Sequence, residues 1–408
     1  MDRASFLSLV SPEGQTLLAQ VGDLESKTDV LALVSKLRKA GHSSELVANV
    51  LSQAKLRRRA HAKFGEFANQ MFFTEAGLEQ ASRLKVAAIH SGRFRLAGVT
   101  NVADLGCGIG AESLAMASLD IEVSAFELDE VTAAIATYNL ANFPKVKVEQ
   151  ADVTTINLSG YQGFFIDPAR RELDGPVRES TKRKYDIQDL TPSFDFVLET
   201  AKSKPTIAKL GPGIDHKDIP QDAEAVWISD NGDLVEAGLY FNTVRRPEVA
   251  RAALLLTSTG SHEITSSKRS RTDAPIGEIS DYVYEPDNAV IRSHLIGDLA
   301  LANDLHIFAP EIAYLTGETE ISSPWLKSYQ VLDNLVFDRK KLKAYLRERS
   351  IGTLEIKKRG ADITPEQLRR ELDPKGPNAA TLIVTRVGTT HRVLIVESKK
   401  KNPHLSAW

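Results

Sequence analysis

Cysteine is almost absent from this chain: Cys107 stands alone among 408 residues. A single thiol excludes an intrachain disulfide. The nine histidines show no HExxH-type spacing, so no metal-binding cluster is assigned. Long apolar runs are also missing, and none approaches the roughly 20 residues that span a bilayer. Met1-Asp2-Arg3-Ala4-Ser5 lacks the charged-then-apolar layout of a secretory signal, which makes a cytoplasmic, membrane-free protein the expectation. Low-complexity tracts and internal repeats are absent too. What remains is an ordinary globular composition, long enough for two or three domains and a large core.

The net charge of −3 hides an asymmetry. From Phe337 to Trp408 there are 17 Lys and Arg against 8 Asp and Glu, while the rest of the chain is acidic. Such a split suggests that one end meets a polyanion.

The most informative run is Asp104-Leu105-Gly106-Cys107-Gly108-Ile109-Gly110. It follows a buried-looking strand end and precedes a helix pattern beginning at Ala111. Alternate glycines permit a tight turn and a close approach to a ligand. Gly106-x-Gly108-x-x-Ala111 also fits the relaxed dinucleotide fingerprint, with Glu127 as the acid about 20 residues on. The neighbours favour S-adenosylmethionine instead. Asp104 is a carboxylate poorly placed beside a pyrophosphate but well placed beside a sulfonium and an amino-acid group. A third strand at 146–151 leads to Asp152, an acceptor suited to an adenine amino group. A fourth, 163–166, leads to Asp167-Pro168-Ala169-Arg170.

Four motifs in this order, DLGCGIG, FELD at 126–129, QAD at 150–152 and IDPAR at 166–170, resemble the class I S-adenosylmethionine-dependent methyltransferases over residues 100–245. The resemblance implies an α/β fold with a Rossmann-like, seven-stranded core. It also implies cofactor contacts from Asp104, Gly106, Cys107, Gly108 and Gly110 to the methionine part, from Glu127 to the ribose and from Asp152 to the adenine. Solvated acids at strand ends are the alternative for Glu127 and Asp152. Related enzymes fold an N-terminal element over the cofactor, which makes Gln80 or Thr74 a candidate contact; simple packing of the 71–82 linker competes with it.

Asp167 and Arg170 are the candidate catalytic residues, Asp167 as hydrogen-bond acceptor and Arg170 as substrate or phosphate contact. Enzymes that modify exocyclic amines carry Asp/Asn-Pro-Pro-aromatic here, so Ala169 and Arg170 depart from that pattern and remove the stacking ring. Asp-Pro-Ala-Arg resembles RNA methyltransferases acting on a uracil carbon. Those require a cysteine after the fifth strand, and Cys107 lies in the cofactor loop, which closes the covalent route. Transfer is then a direct in-line displacement. Lys209 and Asp215-His216 follow the expected fifth strand and border the same cleft, with His216 reading as a surface histidine.

Three regions are expected: a helical module at 1–95, the methyltransferase core at 96–257, and a smaller α/β domain at 282–398. Residues 258–281 read as a linker or a long loop at a domain boundary. The C-terminal part resembles the THUMP-like domain of a group of bacterial methyltransferases through LEIKKRG at 354–360 and GPNAATLIVTRV at 376–387. THUMP domains bind RNA, so the resemblance implies RNA as partner, with Lys357, Lys358 and Arg359 as phosphate contacts. The run Lys55 to Lys63 is a second nucleic-acid candidate, or else a solvated helix face. The function expected is methylation of a nucleotide in structured RNA, ribosomal or transfer. Methylation of a small molecule or protein, or a dinucleotide-dependent oxidoreductase, are the alternatives.

Overall fold

The computed structural model describes residues 1–21, 27–170 and 186–398. The chain divides into two compact units, one comprising Met1–Glu224 with Ala237–Arg246, the other Ala225–Glu236 with Pro247–Trp408.

The first unit opens with helices α1 (Arg3–Val10), α2 (Pro12–Val21), α3 (Lys27–Lys39) and α4 (Ser44–Phe64). Val30, Leu31, Leu33, Val34 and Leu37 recur at helical spacing and predict a helix that Asp29 caps; Asp29 instead falls inside α3, and the side chains of Val30 and Leu31 lie outside the described residues. Ser43 caps α4 by accepting from Leu46 N–H, and Leu46, Val47 and Val50 are buried as the spacing requires. Then come α5 (Glu75–Gln80) and α6 (Leu84–Leu96).

Strand and helix alternate from there: β1 (Asn101–Leu105), α7 (Ala111–Ser118), β2 (Glu122–Glu127), α8 (Glu130–Asn139), β3 (Val146–Gln150) and β4 (Gly163–Ile166). A short pair, β5 (Ala169–Arg170) and β6 (Leu190–Thr191), precedes α9 (Phe194–Ala201) and β7 (Thr206–Leu210). The parallel strands run β3–β2–β1–β4–β7. The order reverses beside β1, so the carboxyl ends of β1 and β4 open onto a switch point where ligands of such sheets bind.

The dipeptide Asn231-Gly232 predicts a hairpin turn, and the strands β8 (Glu224–Asp230) and β9 (Asp233–Phe241) form one about it, both turn residues having the positive φ it demands. The end of β9 pairs antiparallel with β7 within the first unit, while β8 from Ala225 onward belongs to the second. The first unit thus holds six of the seven expected core strands.

In the second unit β8 pairs parallel with β10 (Arg251–Leu256), and β10 antiparallel with β11 (Ser261–Ser266). Much of the expected linker is therefore ordered. Buried Arg251 explains part of that order, because its guanidinium donates to the carbonyls of Lys268, Ser270, Ser293 and His294.

Next follow β12 (Tyr282–Pro286), α10 (Asn288–Arg292), α11 (Ile296–Ala302), β13 (His306–Ile307), β14 (Leu315–Gly317) and β15 (Leu326–Val336). The unit ends with α12 (Arg339–Glu348), β16 (Ile351–Lys358), α13 (Pro365–Leu372), β17 (Asn378–Val387) and β18 (Thr390–Glu397). The seven-stranded sheet runs β13–β14–β12–β15–β18–β17–β16. Leu342 and Leu346 on α12, and Leu368 and Leu372 on α13, repeat at four-residue spacing and cover one face over Leu354, Ile356, Leu382 and Ile395. Each such buried leucine contributes about 1.5–3 kcal/mol.

Candidate cofactor and methyl-transfer site

The glycine loop lies between β1 and α7. Gly106 and Cys107 donate their N–H groups to Phe126 O, which holds the loop against β2. Gly106 has φ +92°, and a Cβ there would come within 3.3 Å of Asp167 O. Gly110 has φ +91°, and a Cβ would lie 2.8 Å from Leu140. Side chains at these positions are excluded by both backbone conformation and space.

Asp104 is fully buried at the end of β1. Its Oδ2 accepts from Ser113 Oγ at 2.5 Å, while Oδ1 has no hydrogen-bond partner among the described residues. Burial, with the charges of Glu112, Asp167 and Glu127 nearby, pushes its carboxyl up to about 8 against the donation from Ser113. A buried acceptor left open is costly unless a ligand completes it. Burial also pushes the Cys107 thiol well above its usual range, away from the thiolate form.

Glu127 ends β2. Its Oε2 accepts from Gly108 N–H at 3.0 Å, and its Oε1 accepts from Asp129 N–H at 3.0 Å. Leu128, next to it, is exposed. Asp152 is exposed beyond β3, and its Oδ1 accepts from the N–H and Oγ1 of Thr154, which hold the carboxyl below its ordinary value.

Parallel pairing of β4 with β7 ends at Ile166 and Ala208, so the next residue on each strand, Asp167 and Lys209, are neighbours. Lys209 Nζ lies 2.6 Å from Asp167 Oδ2 and also donates to Gln80 O at 3.0 Å. Gln80 therefore reaches the site through its backbone carbonyl, and its side chain is exposed. Arg170 belongs to β5, but its side chain lies outside the described residues, as does the charged stretch up to 185.

Three cations of the basic run on α4 are engaged internally. Arg57 donates to Met71 O and stacks on Phe72, Arg59 pairs with Glu75, and Lys63 Nζ donates to the carbonyls of Leu78, Glu79 and Ala81. These contacts strap residues 71–81 to the helix. Two amides, not foreseen from the sequence, complete the strap. Buried Gln53 binds both the N–H and C=O of Phe73, and Asn139 does the same for Phe72 while also donating to Ile109 O in the glycine loop. A further buried pair, His90 with Glu112, joins α6 to α7 at 3.1 Å.

Of the C-terminal cations, Lys357 pairs with Glu285 at 2.8 Å, and Arg359 donates to Ala313 O at 2.7 Å over the Tyr314 ring. Lys358 is exposed. Among the described residues no cluster suits a metal ion, and no helix is long and apolar enough to cross a membrane.

Residues 326–398 match the family described as THUMP domain-like, and residues 2–60 match a domain of unknown function. Two Mycobacterium tuberculosis proteins from different strains, each described as an uncharacterized S-adenosylmethionine-dependent methyltransferase, are 31% identical over 342 residues, 82% of this chain and 91% of theirs. The crystal structure of a candidate methyltransferase from Porphyromonas gingivalis W83 shares the fold, with a TM-score of 0.69 at 20% identity over 92% of this chain and all of that one. The dinucleotide reading of the glycine loop is set aside by these relatives. With its glycine loop, its open buried carboxylate and near-full-length likeness to such enzymes, this chain belongs to the S-adenosylmethionine-dependent methyltransferases.

Proposed function

We propose that this methyltransferase modifies a nucleotide in structured RNA, ribosomal or transfer, by direct in-line transfer. The observation that carries the reading is the THUMP domain-like match over 326–398, since that likeness implies an RNA partner. The basic balance of the C-terminal stretch supports it.

Asp104, Gly106, Cys107, Gly108 and Gly110 hold the methionine part of the cofactor, with the open Oδ1 of Asp104 suited to an ammonium or sulfonium. Glu127 holds the ribose, Asp152 the adenine, and the Gln80 segment closes the methionine end. Bound there, S-adenosylmethionine supplies an electrophilic methyl group. Asp167 accepts a hydrogen bond from the incoming nucleophile, and Arg170 contacts the substrate. Lys358 is the phosphate contact of its cluster, with Lys357 and Arg359 holding the local fold around it.

A small-molecule or protein substrate is the second reading. It is favoured by the internal engagement of two of the three clustered cations. Nucleosides from cells with and without the gene, compared by mass spectrometry, decide between them. A modified nucleoside lost with the gene and restored by the purified enzyme supports RNA. Unchanged nucleosides alongside a methylated metabolite or protein overturn it.

A further inference from the structure

Two lysines converge on the carbonyls of residues 78–81, beside the carboxylate at the transfer point. Lys209 forms the ion pair with Asp167. Lys63, whose amine is drawn down to about 8 by burial and by repulsion from Lys209 and Arg83, binds the carbonyls of Leu78, Glu79 and Ala81, and Lys209 takes the carbonyl between them, that of Gln80. From the other side Glu112 on α7 and Asp104 on β1 face the same group of charges. Asp167 is about a third exposed and Lys209 largely buried, so the ammonium acts through a medium poorer in water than bulk.

This charge pattern discriminates between nucleophiles. When a neutral amine attacks a sulfonium, positive charge moves onto the attacking nitrogen, and the ammonium paired with Asp167 cancels much of the stabilisation that the carboxylate would offer. When a hydroxyl or a ring imide attacks, a proton must leave and negative charge builds on the attacking atom, which the same ammonium favours. A neighbouring cation acidifies such a group by about 1–3 pKa units.

We infer that Lys209 selects a nucleophile that sheds its proton, a hydroxyl or ring imide, over a neutral exocyclic amine. The inference rests on Asp167 standing at the transfer point. In the step, the bond from oxygen or imide nitrogen to methyl carbon forms as the carbon–sulfur bond breaks. The electron pair stays on sulfur, the proton passes to the Asp167 carboxylate and on to solvent, and Lys209 keeps its charge throughout.

The test compares wild type with Lys209→Met and Lys209→Arg in single-turnover transfer across pH. The acceptor is an RNA-and-metabolite extract of cells lacking the gene, with the methylated atom located by mass spectrometry. Lys209→Met is expected to slow transfer roughly 10- to 100-fold near neutrality and to move the pH at which the rate levels upward by about one to two units. Lys209→Arg restores most of the rate. S-adenosylhomocysteine affinity, measured by calorimetry on each protein, stays within about twofold, which excludes misfolding. A methyl on a sugar oxygen or an imide nitrogen agrees, and the spectrum tells the two apart. A Lys209→Met enzyme as fast as wild type or faster, or a methyl on an exocyclic amine, overturns the inference. Equal loss of cofactor binding and turnover in Asp167→Ala fells the underlying transfer-site reading instead.

Discussion

Charge is handled in opposite ways at the ends of β1 and β16. Asp104 is buried with one oxygen open, held in an environment that resists its ionisation. Lys357 and Arg359, with the same sequence-level look of a functional cluster, are closed off by Glu285, by Ala313 O and by two tyrosine rings. A group waiting for a ligand is recognised by what it lacks, whereas a charge that completes the fold already has its partners. Counting charges along the sequence cannot separate the two cases.

The contrast breaks most readily at the transfer point. Asp167→Ala is expected to cut turnover about 100-fold or more while cofactor affinity holds, because the carboxylate meets the nucleophile. Calorimetry beside single-turnover rates checks this, and a matched fall in both returns Asp167 to the cofactor. Glu127→Ala comes next. Loss of charge-assisted bonds to the ribose should weaken S-adenosylmethionine binding by about 1.5–3 kcal/mol, or ten- to a hundredfold. Unchanged affinity in a folded variant would falsify the ribose assignment.

Asp104→Asn sharpens the comparison through pH. A carboxyl whose folded value is raised contributes stability that is complete below its unfolded value near 4 and is lost as pH rises toward about 8. Wild type should therefore lose stability relative to Asp104→Asn across that window in urea unfolding at stepped pH. A difference that does not vary with pH removes the claim.

The smallest effect is expected at the other pole. Lys358→Ala should reduce the log–log salt slope of RNA binding by about 0.7, the share of one phosphate on a single strand. Anisotropy across salt concentrations reads it, and an identical slope assigns Lys358 to the solvated surface. Replacing all three clustered cations with alanine is no substitute, because it also removes the Lys357–Glu285 ion pair and the Arg359 donation to Ala313 O.

Much of the catalytic unit was legible. The glycine loop, the acids at strand ends, the Asn231-Gly232 hairpin and the Ser43 cap all carry short-range signals that the backbone obeys. The order of β11 was hidden, because what fixes its surroundings is Arg251 reaching carbonyls up to 43 residues away. Two cations of the Lys55–Lys63 run were as hard to place: their charges are plain in the sequence, but Arg57 and Lys63 donate to main-chain carbonyls that no residue type announces. Gln53 and Asn139 gave no signal at all, since an amide reads as a surface residue until a buried backbone segment is laid against it.

That backbone segment bears on inheritance and on protein engineering. The N-terminal match stops at residue 60, inside α4, whereas Lys63 and the carbonyls it gathers lie beyond that seam. Asn139 ties the same strap to the glycine loop through Ile109 O. The N-terminal helical region therefore shares its packing with the glycine loop: trimming it at the family boundary removes Gln53, Arg57 and Arg59 from the strap that Asn139 ties to Ile109 O.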